Sequence, residues 1–145
     1  VKESMMAYEV SKIDVWVGEL SDRPRALMKK LEVLSKAGAN LEFVIARSAR
    51  PGKAVVFMAP LKGAAQIHAA EEVGLSKSSG MHTLRVEGPN RPGLGEQITR
   101  AVGYEGLNLR GLSAAVIGGR SVTYLRFTNA DDARKARQAL RRALR

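Results

Sequence analysis

"NRPGLGEQITRAVGYEGLNLRGLSA", residues 90–114, repeats a pattern already present at residues 22–46, "DRPRALMKKLEVLSKAGANLEFVIA". Arg-Pro stands at 23–24 and 91–92, glycine at 38 and 106, and Asn-Leu at 40–41 and 108–109, every pair 68 residues apart. Similarity at a fixed period marks a duplicated structural unit. In each copy the proline falls in the first turn of a helix, where its missing N–H costs nothing. Leu27, Leu31 and Leu34 then form an apolar stripe at helical spacing, matched by Leu94, Ile98, Ala101 and Val102. The glycine stops the helix. Asp22 reads as the cap of the first helix.

The flanking segments extend the repeat. "KIDVWVGEL" (12–20) alternates Ile13, Val15 and Val17 with Asp14, Trp16 and Gly18, which predicts one strand with Ile13, Val15 and Val17 facing inward. "NLEFVIARS" and "KAVVFMAP" predict a hairpin turning at Pro51-Gly52, and "LKGAAQIHAAEEVGL" a helix closed by Gly74. The second copy follows the same order. "MHTLRVEG" is a strand, "NLRGLSAAVIGG" and "RSVTYLRFT" a hairpin around Gly118-Gly119, and "ADDARKARQALRRALR" a helix burying Ala133, Ala136, Leu140 and Leu144. Within the hairpin the repeat slips by one residue, since Gly52 matches Gly119, and the turn is the expected place for that difference.

Strand–helix–strand–strand–helix, with a fourth strand to finish, is the ferredoxin-like βαββαβ unit. The fold class expected is α+β: two such units in tandem, residues 11–76 and 81–145, each an antiparallel sheet with helices on one face. The fourth strands are the difficulty. Copy one offers only "SKSSG", a poor strand, and the second copy's last helix runs to the end of the sequence at Arg145. Its missing edge is left to "MMAYEV" (5–10) or to another molecule.

Composition excludes several classes. The 145 residues are 45% hydrophobic and contain no cysteine, which rules out disulfides, thiolate metal sites and cysteine nucleophiles. No apolar run has membrane-spanning length, and the first ten residues lack the apolar core of a signal peptide, so a cytoplasmic protein without membrane contact is expected. The net charge of +10 is uneven: residues 1–75 hold 11 Lys/Arg against 9 Asp/Glu, and residues 76–145 hold 13 against 5. A basic half suits nucleic acid or simply a solvated helix face.

The doubled Asp/Asn-Arg-Pro turn, with Gly-x-Asn-Leu leading into the second strand, resembles tandem ACT domains, from about Ser11 to Leu144. "EGPNRPGLGEQITRAV" and "EGLNLRGLSA" match that pattern closely, whereas copy one has Arg25 where its glycine is expected. The resemblance implies a stand-alone, non-catalytic regulatory protein that binds a small ligand, an amino acid above all, and works as a homo-oligomer, a dimer or larger. It places the ligand between the turn of one domain and the second strand of a neighbour. Asn90, Arg91, Pro92, Gly93 and Leu94 then form one wall and Asn108, Leu109 and Arg110 the other, with Asp22, Arg23, Asn40 and Leu41 as a weaker copy-one counterpart that Arg25 crowds. The turn's own chemistry suits a carboxylate. A helix start leaves N–H groups open and carries partial positive charge, Gly93 has no Cβ to obstruct approach, and Arg91 adds a charge-assisted bond. Equally, Asn90–Gly93 reads as a good helix cap and Asn108 as a turn residue.

Nothing in the sequence assembles an active site, and neither cofactor nor metal is expected. His68 and His82 read as structural or surface residues, without a partner one helical turn on or a carboxylate in register. Glu71-Glu72 and Asp131-Asp132 are adjacent, so their side chains diverge on a helix. Asp131-Asp132 suit the positive end of a helix dipole. "GLGEQI" has Ile98 where a dinucleotide loop needs its third glycine, and no P-loop lysine follows. The alternative functions are a basic ferredoxin-like nucleic-acid module and a structural adaptor. Against nucleic acid, only seven aromatic residues exist and none cluster as a stacking platform.

Overall fold

The computed structural model describes residues 7–145, which divide into two compact units, residues 14–79 and residues 80–145 together with the N-terminal segment through Ile13. The inserted unit contains β2 (Trp16–Ser21), α1 (Ala26–Lys36), β3 (Phe43–Arg50), β4 (Lys53–Ala59), α2 (Gly63–Glu72) and β5 (Ser76–Lys77). Its sheet order is β3-β4-β2-β5, all antiparallel. The other unit contains β1 (Glu9–Ile13), β6 (His82–Pro89), α3 (Leu94–Tyr104), β7 (Gly111–Ile117), β8 (Arg120–Phe127) and α4 (Ala130–Ala143). Its order, β1-β6-β8-β7, is the same arrangement with β1 in the fourth-strand position.

The missing edge is thus filled from within the chain. Tyr8–Ile13 carry out this role as far as the segment 5–10 is described; Met5 and Met6 lie outside the described residues. β1 pairs antiparallel with β6, Val10 opposite Val86 and Lys12 opposite Leu84. Val10 is 3% exposed and joins Leu84, Val86, Ile98, Leu125, Phe127 and Leu140 in one core. The carbonyl of Val10 also accepts from Arg137 Nε (3.3 Å) and Arg141 Nη2 (3.2 Å) of α4. Copy one does use its poor strand: Ser76-Lys77 pairs with Trp16-Val17.

Two strand expectations are corrected. "KIDVWVGEL" is not one strand, because Ile13 ends β1 in one sheet and Trp16 starts β2 in the other. Val15 is buried as expected (2% exposed), but within β2 the inward set is shifted: Trp16 (7% exposed) and Leu20 pack on the core with Leu34, Val56 and Met58, while Val17 belongs to the opposite face. Alternation fixes which residues share a face but not which face is buried, and an indole loses more by exposure than a valine.

The one-residue slip is in the strand, not in the turn. β7 and β8 pair without interruption from Gly111–Arg126 to Ile117–Arg120. β3 and β4 shift register between Ser48 and Arg50, so the extra residue of copy one is absorbed as a β-bulge. The helix stripes fall as expected, with Leu34 buried in α1, Leu94, Ile98 and Val102 in α3, and Ala133, Ala136, Ala139 and Leu140 in α4.

Truncating Val10 tests the intramolecular edge. Val10→Ala should lower unfolding stability by about 2 kcal/mol in denaturant melts, the cost of removing a fully buried valine's methyl groups plus the void they leave. The same substitution at partly buried Val17 should cost less than half of that.

Candidate functional site

Both units build the turn between first strand and first helix in the same way. Asp22 N–H donates to Gly52 O (3.0 Å) and Asn90 N–H to Gly119 O (2.8 Å), tying each turn to its hairpin loop. Arg25 and Gly93 precede the helices with nearly the same left-handed backbone, φ 72° and 82°. Neither helix has a side-chain cap, which leaves first-turn N–H groups open to a ligand or to water. Asp22 is therefore not a cap. Its carboxylate accepts from Ser48 Oγ (3.3 Å) across to β3.

This geometry changes the role assigned to Gly93. A Cβ there would meet open space, but φ of +82° is a conformation that side chains resist. Glycine is required for the backbone, and Arg25 bears the same conformation at a cost of about 1–2 kcal/mol.

In the inserted unit the turn opens into a cavity of about 310 Å³, bounded by Asp22, Arg23, Arg25 and Met28 on one side and Ala46, Arg47 and Ser48 of β3 on the other. Asn40 and Leu41 do not line it, and Leu41 packs against the core. In the second copy the Arg91 guanidinium lies 5.2 Å from the Tyr8 ring centroid and donates to Gln97 Oε1. Gln97 Nε2 in turn donates to Ala143 O (2.8 Å). The Tyr8 hydroxyl donates to Pro89 O, and its ring lies so close over Gly88 that a Cβ there would come within 2.4 Å of it. Sequence reading missed Tyr8 and Gln97. The signal was faint: an aromatic beside a possible edge strand, and Gln97 as the fourth residue of the helix. Leu94 is 5% exposed and Leu109 packs on the core, so their side chains serve folding. Pro92 lies in the turn and Asn108 is exposed ahead of β7. Arg110 N–H donates to Arg126 O (2.9 Å).

The basic helix is largely occupied with its own unit. Arg137 and Arg141 hold Val10, Arg142 pairs with Glu105 at 3.0 Å, and Arg134 and Lys135 flank Asp131 at 2.6 and 3.3 Å. Hydrogen bonds from Arg134, then Lys135, hold the Asp131 carboxyl below its ordinary 3.8. A depressed carboxyl stabilises the fold above its unfolded value and loses that effect as pH falls through the folded one. Asn129 Oδ1 accepts from Asp132 N–H (2.8 Å), so this helix, unlike α1 and α3, is capped. His68 was misjudged: Glu72, one turn on, lies 3.2 Å from its Nε2. That pair is exposed, and among the described residues no group of three or more metal-ligating side chains forms. No described helix is long and apolar enough to cross a membrane.

No protein-family model matches the sequence, and none of the curated proteins does. Solved structures match in fold. Protein BT0572 from Bacteroides thetaiotaomicron aligns with a TM-score of 0.76 at 15% identity, over 92% of this chain and 89% of that one. The ligand-free regulatory subunit of aspartate kinase from Thermus thermophilus gives 0.65 at 16% identity, over 97% and 99%. Aspartokinase III of E. coli, solved with aspartate and ADP, gives 0.59 at 12% identity, over 94% of this chain and 33% of that one. The chain is a doubled ferredoxin-like protein. Its architecture is that of tandem ACT units.

The shared left-handed turn makes a stability prediction. Arg25→Gly should stabilise by about 0.5–1 kcal/mol, relief of the strain less the greater unfolded-state freedom of glycine. Gly93→Arg should destabilise by a similar amount. Both are read from denaturant midpoints at constant slope.

Proposed function

We propose that this is a non-catalytic regulatory protein that binds a small carboxylate ligand of the amino-acid class at the turn before the first helix of each unit. The observation that carries this is the cleft of the inserted unit. An uncapped helix start, Arg23 and Arg25 converge there on the edge strand β3 around a 310 Å³ space. Open N–H groups and the positive helix end favour a carboxylate, and an arginine supplies charge-assisted bonds. The second copy has the same helix start and the glycine, with Arg91 already oriented by Tyr8 and Gln97. Aspartokinase III, which has the same fold over a third of its length, was solved with an amino acid bound.

Assembly is the second part of the proposal. β7 and β3 each form one edge of their sheet, opposite β1 and β5. The β7 sequence, GLSAAVI, has no charge, and its Leu112, Val116 and Ile117 are 48%, 54% and 80% exposed. An uncharged, unpaired edge is a template for another strand, and a second copy of this chain is the occupant proposed. Homo-oligomers also supply the neighbouring strand that the ligand wall needs. Binding then regulates by shifting assembly or a contact with a protein partner. A nucleic-acid role draws no support from α4, five of whose cations are engaged within the unit.

Thermal melts with each of the twenty amino acids test ligand binding. A true ligand at a hundred times its dissociation constant should add about 2.7 kcal/mol, and Arg23→Ala with Arg91→Ala should remove the shift. No shift with any amino acid at millimolar concentration would overturn the proposal. Sedimentation tests assembly: the wild-type chain should be a dimer or larger at micromolar concentration, and Ala115→Lys in the middle of β7 should release monomer.

A further inference from the structure

The two helical layers differ at one place. In the second copy Leu94, Ile98, Leu140 and Leu144 are 5%, 1%, 0% and 4% exposed and fill the space between α3 and α4. At the 68-residue spacing, copy one has Ala26 in place of Leu94 and Lys30 in place of Ile98. Its second helix also stops at Glu72, where α4 continues to Ala143. The inserted unit therefore has a groove of about 490 Å³, walled by α1, the ends of β2 and α2, and the start of β4. That volume lies within the range of small-molecule pockets, roughly 300–1,000 Å³.

Leu20 and Val33 give the groove an apolar side, and Lys29, Lys30 and Lys53 give it positive charge. Lys30 donates to Val73 O and so holds the end of α2. The side-chain ammonium groups of Lys29 and Lys53 have no hydrogen bond or ion pair among the described residues, although both backbones are bonded. Glu19 and Glu72 also line the groove, but Glu19 faces Arg50 at 3.7 Å and Glu72 faces His68 at 3.2 Å. Two ammonium groups beside an apolar wall thus have no direct ion-pair partner, and the lining carries three lysines against two glutamates.

We propose that this groove is a second ligand site, distinct from the turn cleft, and that it takes a small organic anion. Its carboxylate or phosphate group is held by Lys29 and Lys53, and its apolar body lies against Leu20 and Val33. An ammonium–anion bond is stronger than a neutral one, and the apolar body gains by leaving water. Inorganic ions, lacking that body, bind more weakly.

NMR titration of the full chain tests this with benzoate, phenyl phosphate, inorganic phosphate and benzylamine. Benzoate or phenyl phosphate should give saturable shifts at Val33 and Val73, which line the groove and not the turn cleft; Met28 and Ala46, which line only the cleft, report the other site. Which of the two anions binds tighter identifies the natural headgroup. Benzylamine should give no shift. Lys29→Gln/Lys53→Gln should weaken binding about tenfold, the loss of charge-assisted bonds. Ala26→Leu, which copies Leu94 of the second unit, adds side-chain volume to the groove wall and should weaken binding in a chain that still folds. Absence of saturable shifts at Val33 and Val73 with both aromatic anions would overturn the proposal. So would affinity unchanged in the double glutamine variant, or inorganic phosphate binding as tightly as phenyl phosphate.

Discussion

The pairing of Glu9–Ile13 with His82–Pro89 is the constraint on which the second unit rests. That unit's own stretch, residues 80–145, supplies three strands and two helices, and an unpaired β6 edge would leave a row of backbone groups without partners. One short strand meets three needs. The Val10 side chain completes the core, the Val10 carbonyl takes two arginines of α4, and Tyr8 lies on Gly88 and under Arg91. The strand that closes the fold therefore also orients the arginine of the proposed ligand turn. The edge strand and the proposed ligand turn are thus linked through Tyr8.

Duplication followed by divergence explains the rest. The two turns keep the same hydrogen bond to the hairpin loop and the same left-handed residue before an uncapped helix. Retaining that backbone with an arginine at position 25 is costly, and a site that had lost all use for the geometry would gain by regularising it. The cores diverged instead. Where one unit buries leucine and isoleucine, the other places alanine and lysine and opens a groove. The extra residue of the first hairpin became a bulge in β3, the strand that walls the turn cleft.

The repeat, the order of elements and the buried faces of the helices were legible because period and punctuation are local properties of sequence. Leu94, Ile98 and Val102 could be placed inward from spacing alone. The face of "KIDVWVGEL" could not, since alternation is symmetric until something decides which side meets the helices. Nor could its break at Asp14-Val15, because the two halves serve different sheets and only pairing distant in sequence reveals that. At the candidate site, the Arg-Pro turns were visible, but the reason for glycine was read as space when it is backbone conformation. Tyr8 and Gln97 act through contacts 83 and 6 residues away from Arg91 and leave no local signature. Arg137 and Arg141 of α4 read as part of a solvated helix face because their shared acceptor, the Val10 carbonyl, lies 127 and 131 residues upstream.

Amide hydrogen exchange of the full chain measures the central claim, that β1 belongs to the second unit's cooperative core. Amides of β1 that bond to β6 should be protected to the same degree as those of Leu84 and Leu125, opening only with that whole unit. Exchange of the β1 amides at rates typical of loops, with β6 and β8 still protected, would show that the strand is not what holds this unit together.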